Sequence, residues 1–237
     1  MAEKSGTQSR TEERVHKKRV VIVGTGGHAI ALLGIVRQLS NWEFIGFVDK
    51  NKKGLIPVKK GTSILEGCPV LGSRNELEKI QRQEKARHVI IAIGDNQERK
   101  QFYQMLVKKG LVIPTLIHPS GYVDPSAVIG RGCVVGMGAL IGTKVVLGDN
   151  SIVNSGVIID HESRIGAHAH IAPGCRIAGR VTVGDETFIG IGATVIDKIK
   201  IGAQVTVGAG SVVVSDIPDK SVAYGIPAKV MKQREIQ

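Results

Sequence analysis

From Val123 onward every sixth residue is aliphatic. The series runs sixteen times without a gap, through Ile129, Val135, Ile141, Leu147 and Val153 to Val207 and Val213. The next residue is usually Gly, Ala, Asn or Asp, as at Gly130, Gly136, Gly142 and Gly148. The fourth residue after each aliphatic is small or β-branched, as at Ala127, Cys133, Ala139, Val145 and Ser151. A period of six fits neither an amphipathic helix nor an alternating strand. It fits a short strand followed by a turn, with three such units closing one triangular coil. Residues three hexads apart then stack, so Ile141, Ile159, Ile177, Val195 and Val213 form one interior column. Each coil gives its backbone hydrogen bonds to the next, so stability is nearly a sum of neighbour terms. Cys133 and Cys175 fall on the inward small position and read as packed hydrophobes rather than nucleophiles.

Composition agrees with such a core. Aromatic residues make up 3% of the chain and hydrophobic residues 42%. The 30 glycines follow no Gly-X-Y period, so collagen is excluded. No apolar run is long enough for a transmembrane helix, and Met1–Arg19 is polar with no secretory signal. Three cysteines without metal-ligand spacing suit a reducing compartment, so a cytoplasmic protein without membrane insertion is expected. The net charge is +11, yet residues 115–237 hold 11 Lys+Arg against 10 Asp+Glu. The excess therefore lies in residues 1–114, in the tail and in the cluster Lys50, Lys52, Lys53, Lys59 and Lys60. With few aromatics to stack bases, this points to solvated loops and a phosphate-bearing ligand, not to nucleic acid.

The first half alternates strand and helix. Arg19–Val23 is a buried strand ending in the turn Gly24-Thr25-Gly26-Gly27-His28, and Ala29–Leu39 is a helix. Phe44–Asp49 and His88–Asp95 read as strands, Glu76–Glu84 and Gln97–Lys109 as helices, and Leu111–Ile117 as a strand entering the coils. A small parallel α/β sheet is expected. Glycines after a parallel strand let the backbone approach a phosphate at a helix N-terminus. Gly24-x-Gly26-x-x-Ala29 with Asp49 approximates a dinucleotide fingerprint, but the unit is short for a full NAD fold.

One segment of the coils has the residue types for acid–base chemistry. In Asn154–Ser163, His161 lies two after the inward Ile159 and should point outward near a corner. A histidine titrates in the right range to take a proton from an attacking amine or hydroxyl, and Asp160 or Glu162 could hold its tautomer. His161, His168 and His170 also admit a zinc site of the carbonic anhydrase kind. A non-catalytic scaffold or binding trimer is a further alternative.

The hexads resemble those of the left-handed β-helix acyltransferases. Together with Gly24–His28, Phe47-Val48-Asp49 and Ala92-Ile93-Gly94-Asp95-Asn96, the chain resembles the sugar O-acyltransferase (sialic acid O-acetyltransferase, NeuD-type) family, near the members that N-acetylate UDP-4-amino sugars. The resemblance implies a Rossmann-like domain over 19–114 and a left-handed parallel β-helix over 115–231, with tails at 1–18 and 232–237. It implies an acetyl-CoA-dependent acetyltransferase without a metal, working as a homotrimer with the active site between adjacent subunits. The acceptor would be a UDP-linked amino sugar destined for surface glycan, or alternatively a hydroxyl of sialic acid or of another sugar. Carried over by position, His161 is the base and Glu162 its helper, and the amine attacks the thioester directly. His170, Gly179, Ile191 and Ala209 would hold acetyl-CoA. Gly26, Gly27, His28, Asp49, Gly94 and Asn96 would hold the nucleotide sugar. The segment Tyr224–Lys229 resembles the family's closing motif. One departure concerns the acidic pair that some members carry after strand two: here Asp49 is followed by Lys50.

Overall fold

The structure is a computed structural model, and it describes residues 17–50, 56–59, 62–65 and 67–233. The N-terminal tail up to residue 16, the cluster lysines beyond Lys50 and the last four residues lie outside the described residues or side chains.

The N-terminal unit builds on β1 (Lys18–Val23), a run whose last four residues are buried. Parallel pairing with β2 (Trp42–Asp49) on one side and the strand His88–Ile91 on the other makes β1 central. The helix α1 (Gly27–Gln38) covers one face with Ala29, Leu32, Leu33, Ile35 and Val36. The other face is covered by α2 (Leu77–Glu84) and α3 (Asn96–Lys108). The sheet is not purely parallel, as expected from the sequence, but mixed. Strands Ile56–Lys59, Thr62–Leu65 and Cys68–Ser73 form an antiparallel meander whose last strand pairs with β2. The meander lacks the alternating apolar pattern that identifies a half-buried strand, which is why it escapes notice. The third strand stops at Ile91 rather than Asp95. The strand entering the coils is only Leu116–Ile117, because Pro114 interrupts the stretch and a single bridge joins Val112 to His88.

The sixteen hexads appear as sixteen two-residue strands, from Tyr122–Val123 to Val212–Val213. The first thirteen each pair in parallel with the strand three hexads on, as Leu140↔Ile158 and Ile141↔Ile159. Three sheets result, and they enclose one core of a left-handed β-helix. Face one runs through Val135, Val153, Ile171, Ile189 and Val207; face two through Ile141, Ile159, Ile177, Val195 and Val213; face three through Leu147, Ile165, Val183 and Ile201. The glycine after the aliphatic is required by close approach. A Cβ on Gly184 would lie 2.4 Å from the Ala203 backbone nitrogen of the next coil. At the third residue after each aliphatic from Ile129 to Val207 the chain turns left-handed. These are glycines on the corner after face one (Gly138, Gly156, Gly174, Gly192, Gly210) and mostly polar residues elsewhere, including Glu162 (φ 59°) and Arg180 (φ 60°). Cys133 and Cys175 are buried in the core. A final antiparallel hairpin, Ser221–Gly225 with Ala228–Gln233, closes the last coil on face one. Among the described residues no helix is long and apolar enough to cross a membrane.

The two units pack together. The outward residues Leu116, Val134 and Ile152 of face one join the α1 core. Tyr103 donates to Asp149 Oδ2 at 3.0 Å, and Lys100 pairs with Glu186 at 2.6 Å. The N-terminal unit therefore sits over face one and the corner between faces three and one. The corner between faces two and three, opposite face one, stays clear of it.

Candidate active site

That opposite corner carries His161. Consecutive residues of an extended strand point to opposite sides, but Glu162 is left-handed, and its turn swings the carboxylate round to the histidine. His161 Nδ1 lies 3.1 Å from Glu162 Oε2. Asp160 takes a different part: its Oδ1 accepts from the His161 backbone N–H at 2.7 Å. Thus Glu162 holds the ring and Asp160 the main chain. Arg180 Nε donates to the same Glu162 Oε2 at 3.1 Å. Arg180 first, and His161 second, hold the Glu162 carboxyl below the usual carboxylate range. The ring rests on Gly179, where a Cβ would lie 2.5 Å from His161 Nε2. Underneath, the buried Ser163 hydroxyl donates to Ala178 O at 2.9 Å and accepts from Val181 N, riveting this coil to the next.

The second polar centre lies at the junction of the two units. Gly24 is left-handed (φ 114°), and a Cβ there would meet Ala92 O at 2.6 Å, so only glycine fits. Gly26, Gly27 and Gly94 have open space where a side chain would be. The N-terminus of α1 has no side-chain cap and no acidic residue in its first turn, which suits an anion. The carboxylate of Asp49 is held by Thr25 Oγ1 and lies 3.6 Å from Arg74, which also donates to Glu98 at 2.7 Å. Lys50 pairs with the same Glu98. Lys50 therefore extends a charge network at the end of β2 instead of replacing an acid.

His28 and His170 meet at this junction, with ring centroids 6.4 Å apart. Burial, then the charge of Arg99, pushes His28 down to about 4. Burial, then Arg99 and His28, pushes His170 down to about 3. Both are neutral imidazoles near pH 7. His170 also packs against the Phe188 edge and lies 3.3 Å from Asn154 Nδ2. Asn96 donates to Glu186 O at 2.9 Å and to Thr187 O at 3.2 Å. Among the described residues, His28 Nε2 and Asn96 Oδ1 are buried without a hydrogen-bond partner, which leaves them for a ligand or an ordered water.

Sequence reasoning missed Arg99. This arginine on α3 is 1% exposed, and among the described residues no carboxylate lies at hydrogen-bonding distance from it. It donates instead to backbone carbonyls of both units: Ile93, Gly94, Asn150, His168 and Ala169, the shortest bond being 2.7 Å to His168. No side-chain motif marks such a site, since its partners are main-chain oxygens.

The structure thus brings His161, Glu162 and Gly179 together on one corner. Gly26, Gly27, His28, Gly94, Asn96 and also His170 gather at the junction, with Asp49 at the adjacent strand end. Ile191 and Ala209 are exposed on the third corner, after face one. His161, His168 and His170 occupy two different corners and a face, so within one chain they do not converge on one point. Among the described residues no cluster of three or more His, Cys, Asp or Glu could hold a metal.

A Rossmann-like unit docked on a hexapeptide-repeat β-helix, with a carboxylate-held histidine on a coil corner, defines an acyltransferase of the left-handed β-helix class. Comparison with known proteins narrows this. Residues 19–106 match the family model described as the PglD N-terminal domain. The chain is 36% identical to PerB from Caulobacter crescentus, solved with CoA and GDP-perosamine, with a TM-score of 0.82 over 90% of this chain and 97% of that one. It is 32% identical to the acetyltransferase domain of PglB from Neisseria gonorrhoeae, with a TM-score of 0.80 over 91% of this chain and all of that one. WeeI from Acinetobacter baumannii, at 23% identity and a TM-score of 0.65 over 90% of this chain and 99% of that one, shares the fold. The chain belongs to the NeuD/PglD family of sugar acetyltransferases.

Proposed function

We propose that this enzyme transfers the acetyl group of acetyl-CoA to the amine of a nucleoside-diphosphate-linked sugar, with His161 as general base. The observation that carries the proposal is the His161 Nδ1–Glu162 Oε2 contact of 3.1 Å above the cleared space at Gly179. With Nδ1–H donated to Glu162, Nε2 is the basic nitrogen. The amine attacks the thioester carbonyl, and a C–N bond forms. Nε2 takes the amine proton, the C–S bond breaks, and the imidazolium returns the proton to the leaving thiolate. Glu162 stabilises the imidazolium while the proton is held.

The acceptor binds at the junction. The uncapped start of α1 at Gly26 and Gly27 takes the diphosphate, and His28, Asp49, Gly94 and Asn96 orient the nucleoside and sugar. Support comes from the nucleotide sugar bound to PerB. The donor fits the corner after face one, where Ile191 is exposed and five stacked glycines leave an open strip. Ile191 and Ala209 line the donor's path on this corner, Gly179 lines its reacting end beside His161 on the corner of a neighbouring subunit, and His170 sits where donor and acceptor sites meet. Within one chain His161 faces away from the glycine turn. This supports a homotrimer in which neighbouring subunits bring the two together.

The test is His161→Ala, which lowers kcat by orders of magnitude while the assembled oligomer survives. Near-parental turnover removes the base assignment. Titration with UDP, GDP and CoA then identifies the nucleotide: heat from UDP alone fits a UDP-sugar, heat from GDP alone a GDP-sugar as in PerB. Failure of both moves the acceptor to a sugar without a nucleotide.

A further inference from the structure

The Glu162 carboxylate does not hold its position unaided. It stands about half-exposed on a corner, where a free side chain samples several rotamers. Two groups of the next coil bear on it and on its neighbour. Arg180 Nε donates to Glu162 Oε2 at 3.1 Å, and the Arg180 backbone N–H donates to His161 O at 2.9 Å. From the preceding coil, Thr143 O accepts the Glu162 N–H at 2.8 Å. The dyad is therefore strapped from both sides, and Arg180 is the one side chain of the strap. Glu162 Oε2 is the common atom of the Arg180 and His161 contacts.

We infer that Arg180 is a positioning residue for the acetyl transfer, acting through Glu162 to hold His161 in its working tautomer and orientation. The inference rests on His161 being the base. It is specific about mechanism: Arg180 contributes an N–H at the position of Nε, and its effect exists only while Glu162 is present. Glutamine supplies an N–H at the same bond distance from the backbone, without the charge. Because Arg180 is already left-handed, an alanine there adds no new backbone strain.

The experiment is a double-mutant cycle in the assembled enzyme, with melting temperature and oligomer size as folding controls. Arg180→Ala lowers kcat about tenfold, the worth of one ordered hydrogen bond, with KM for acetyl-CoA unchanged. Arg180→Gln recovers most of that loss. In a Glu162→Ala background, Arg180→Ala changes kcat by less than about twofold. An equal loss in both backgrounds overturns the inference, as does an unaltered kcat in Arg180→Ala. A rise confined to KM for acetyl-CoA also overturns it and makes Arg180 a contact of a donor phosphate. Failure of the underlying reading looks different: His161→Ala itself stays active.

Discussion

Gly179→Ala tests the site through geometry alone. The added methyl would stand 2.5 Å from His161 Nε2, 2.7 Å from Cε1 and 3.0 Å from Cδ2. Ordinary contact needs about 3.4 Å or more, so the ring must retreat by roughly 1 Å. It cannot retreat freely, because Nδ1 is held by Glu162 and the backbone N–H by Asp160. Misplacement of a reacting group by about 1 Å costs about 100-fold in rate, or about 2.7 kcal/mol of barrier. Stability should not follow. Gly179 is not among the left-handed residues, so alanine is permitted by its backbone, and the atoms it meets belong to a half-exposed side chain. The assay is release of free CoA thiol under saturating substrates, alongside thermal unfolding. A kcat lowered about 100-fold with an unchanged Tm is expected. A kcat within threefold of the parent would refute the view that the ring's position on Gly179 sets the rate. A loss confined to KM for acetyl-CoA would leave Gly179 a role in the donor path alone.

Arg99→Met removes the buried guanidinium and strands the carbonyls it serves, above all His168 O at 2.7 Å. Relief from burying the charge offsets part of the loss, leaving a net cost of about 2–3 kcal/mol. Trp42, the single tryptophan, lies in the N-terminal unit, so its fluorescence should show that unit melting roughly 10 °C earlier, and an unshifted curve would deny Arg99 its role as the joint. For pH, His28 has a folded value of about 4 against 6.5 in the open chain, so only the unfolded state takes up the proton between these values. Stability is full above pH 6.5 and declines as pH falls through that window, by roughly 3 kcal/mol for His28 alone. The Trp42 melting temperature should drop between pH 7 and pH 4.5, and less steeply in His28→Asn; identical slopes would contradict a neutral buried His28.

The coils were legible because their determinants are local and repeated. Each hexad states its own inward residue, and sixteen agreeing statements leave no other register. The N-terminal unit was legible where strands are buried on both faces, as at Val20–Val23 and Val89–Ile91. It was illegible in the meander at 56–73, whose residues carry no such signature. His161 was visible from residue type, but the choice between Asp160 and Glu162 was not. That choice depends on a left-handed turn at Glu162, and glutamate is not a residue that announces one. The roles of Gly179 and Arg99 were also hidden. One exists to leave space beneath a ring from another coil, and the other bonds to main-chain oxygens that every sequence possesses.

The triangular winding limits how this protein can change length. Three hexads return the chain to the same face, so Gly179 lies beneath His161 because exactly one circuit, from 161 to 179, separates them. Insert a single hexad between the two and the interior stays fully aliphatic, every strand still pairs, and the core loses nothing. Yet each later corner is carried one side around the prism, and with the insertion ahead of Pro173 that proline takes the place of the glycine under the base. Lineages of this enzyme should therefore gain or lose whole circuits beyond the site, while shorter insertions there would leave a sound scaffold with its chemistry facing the wrong way.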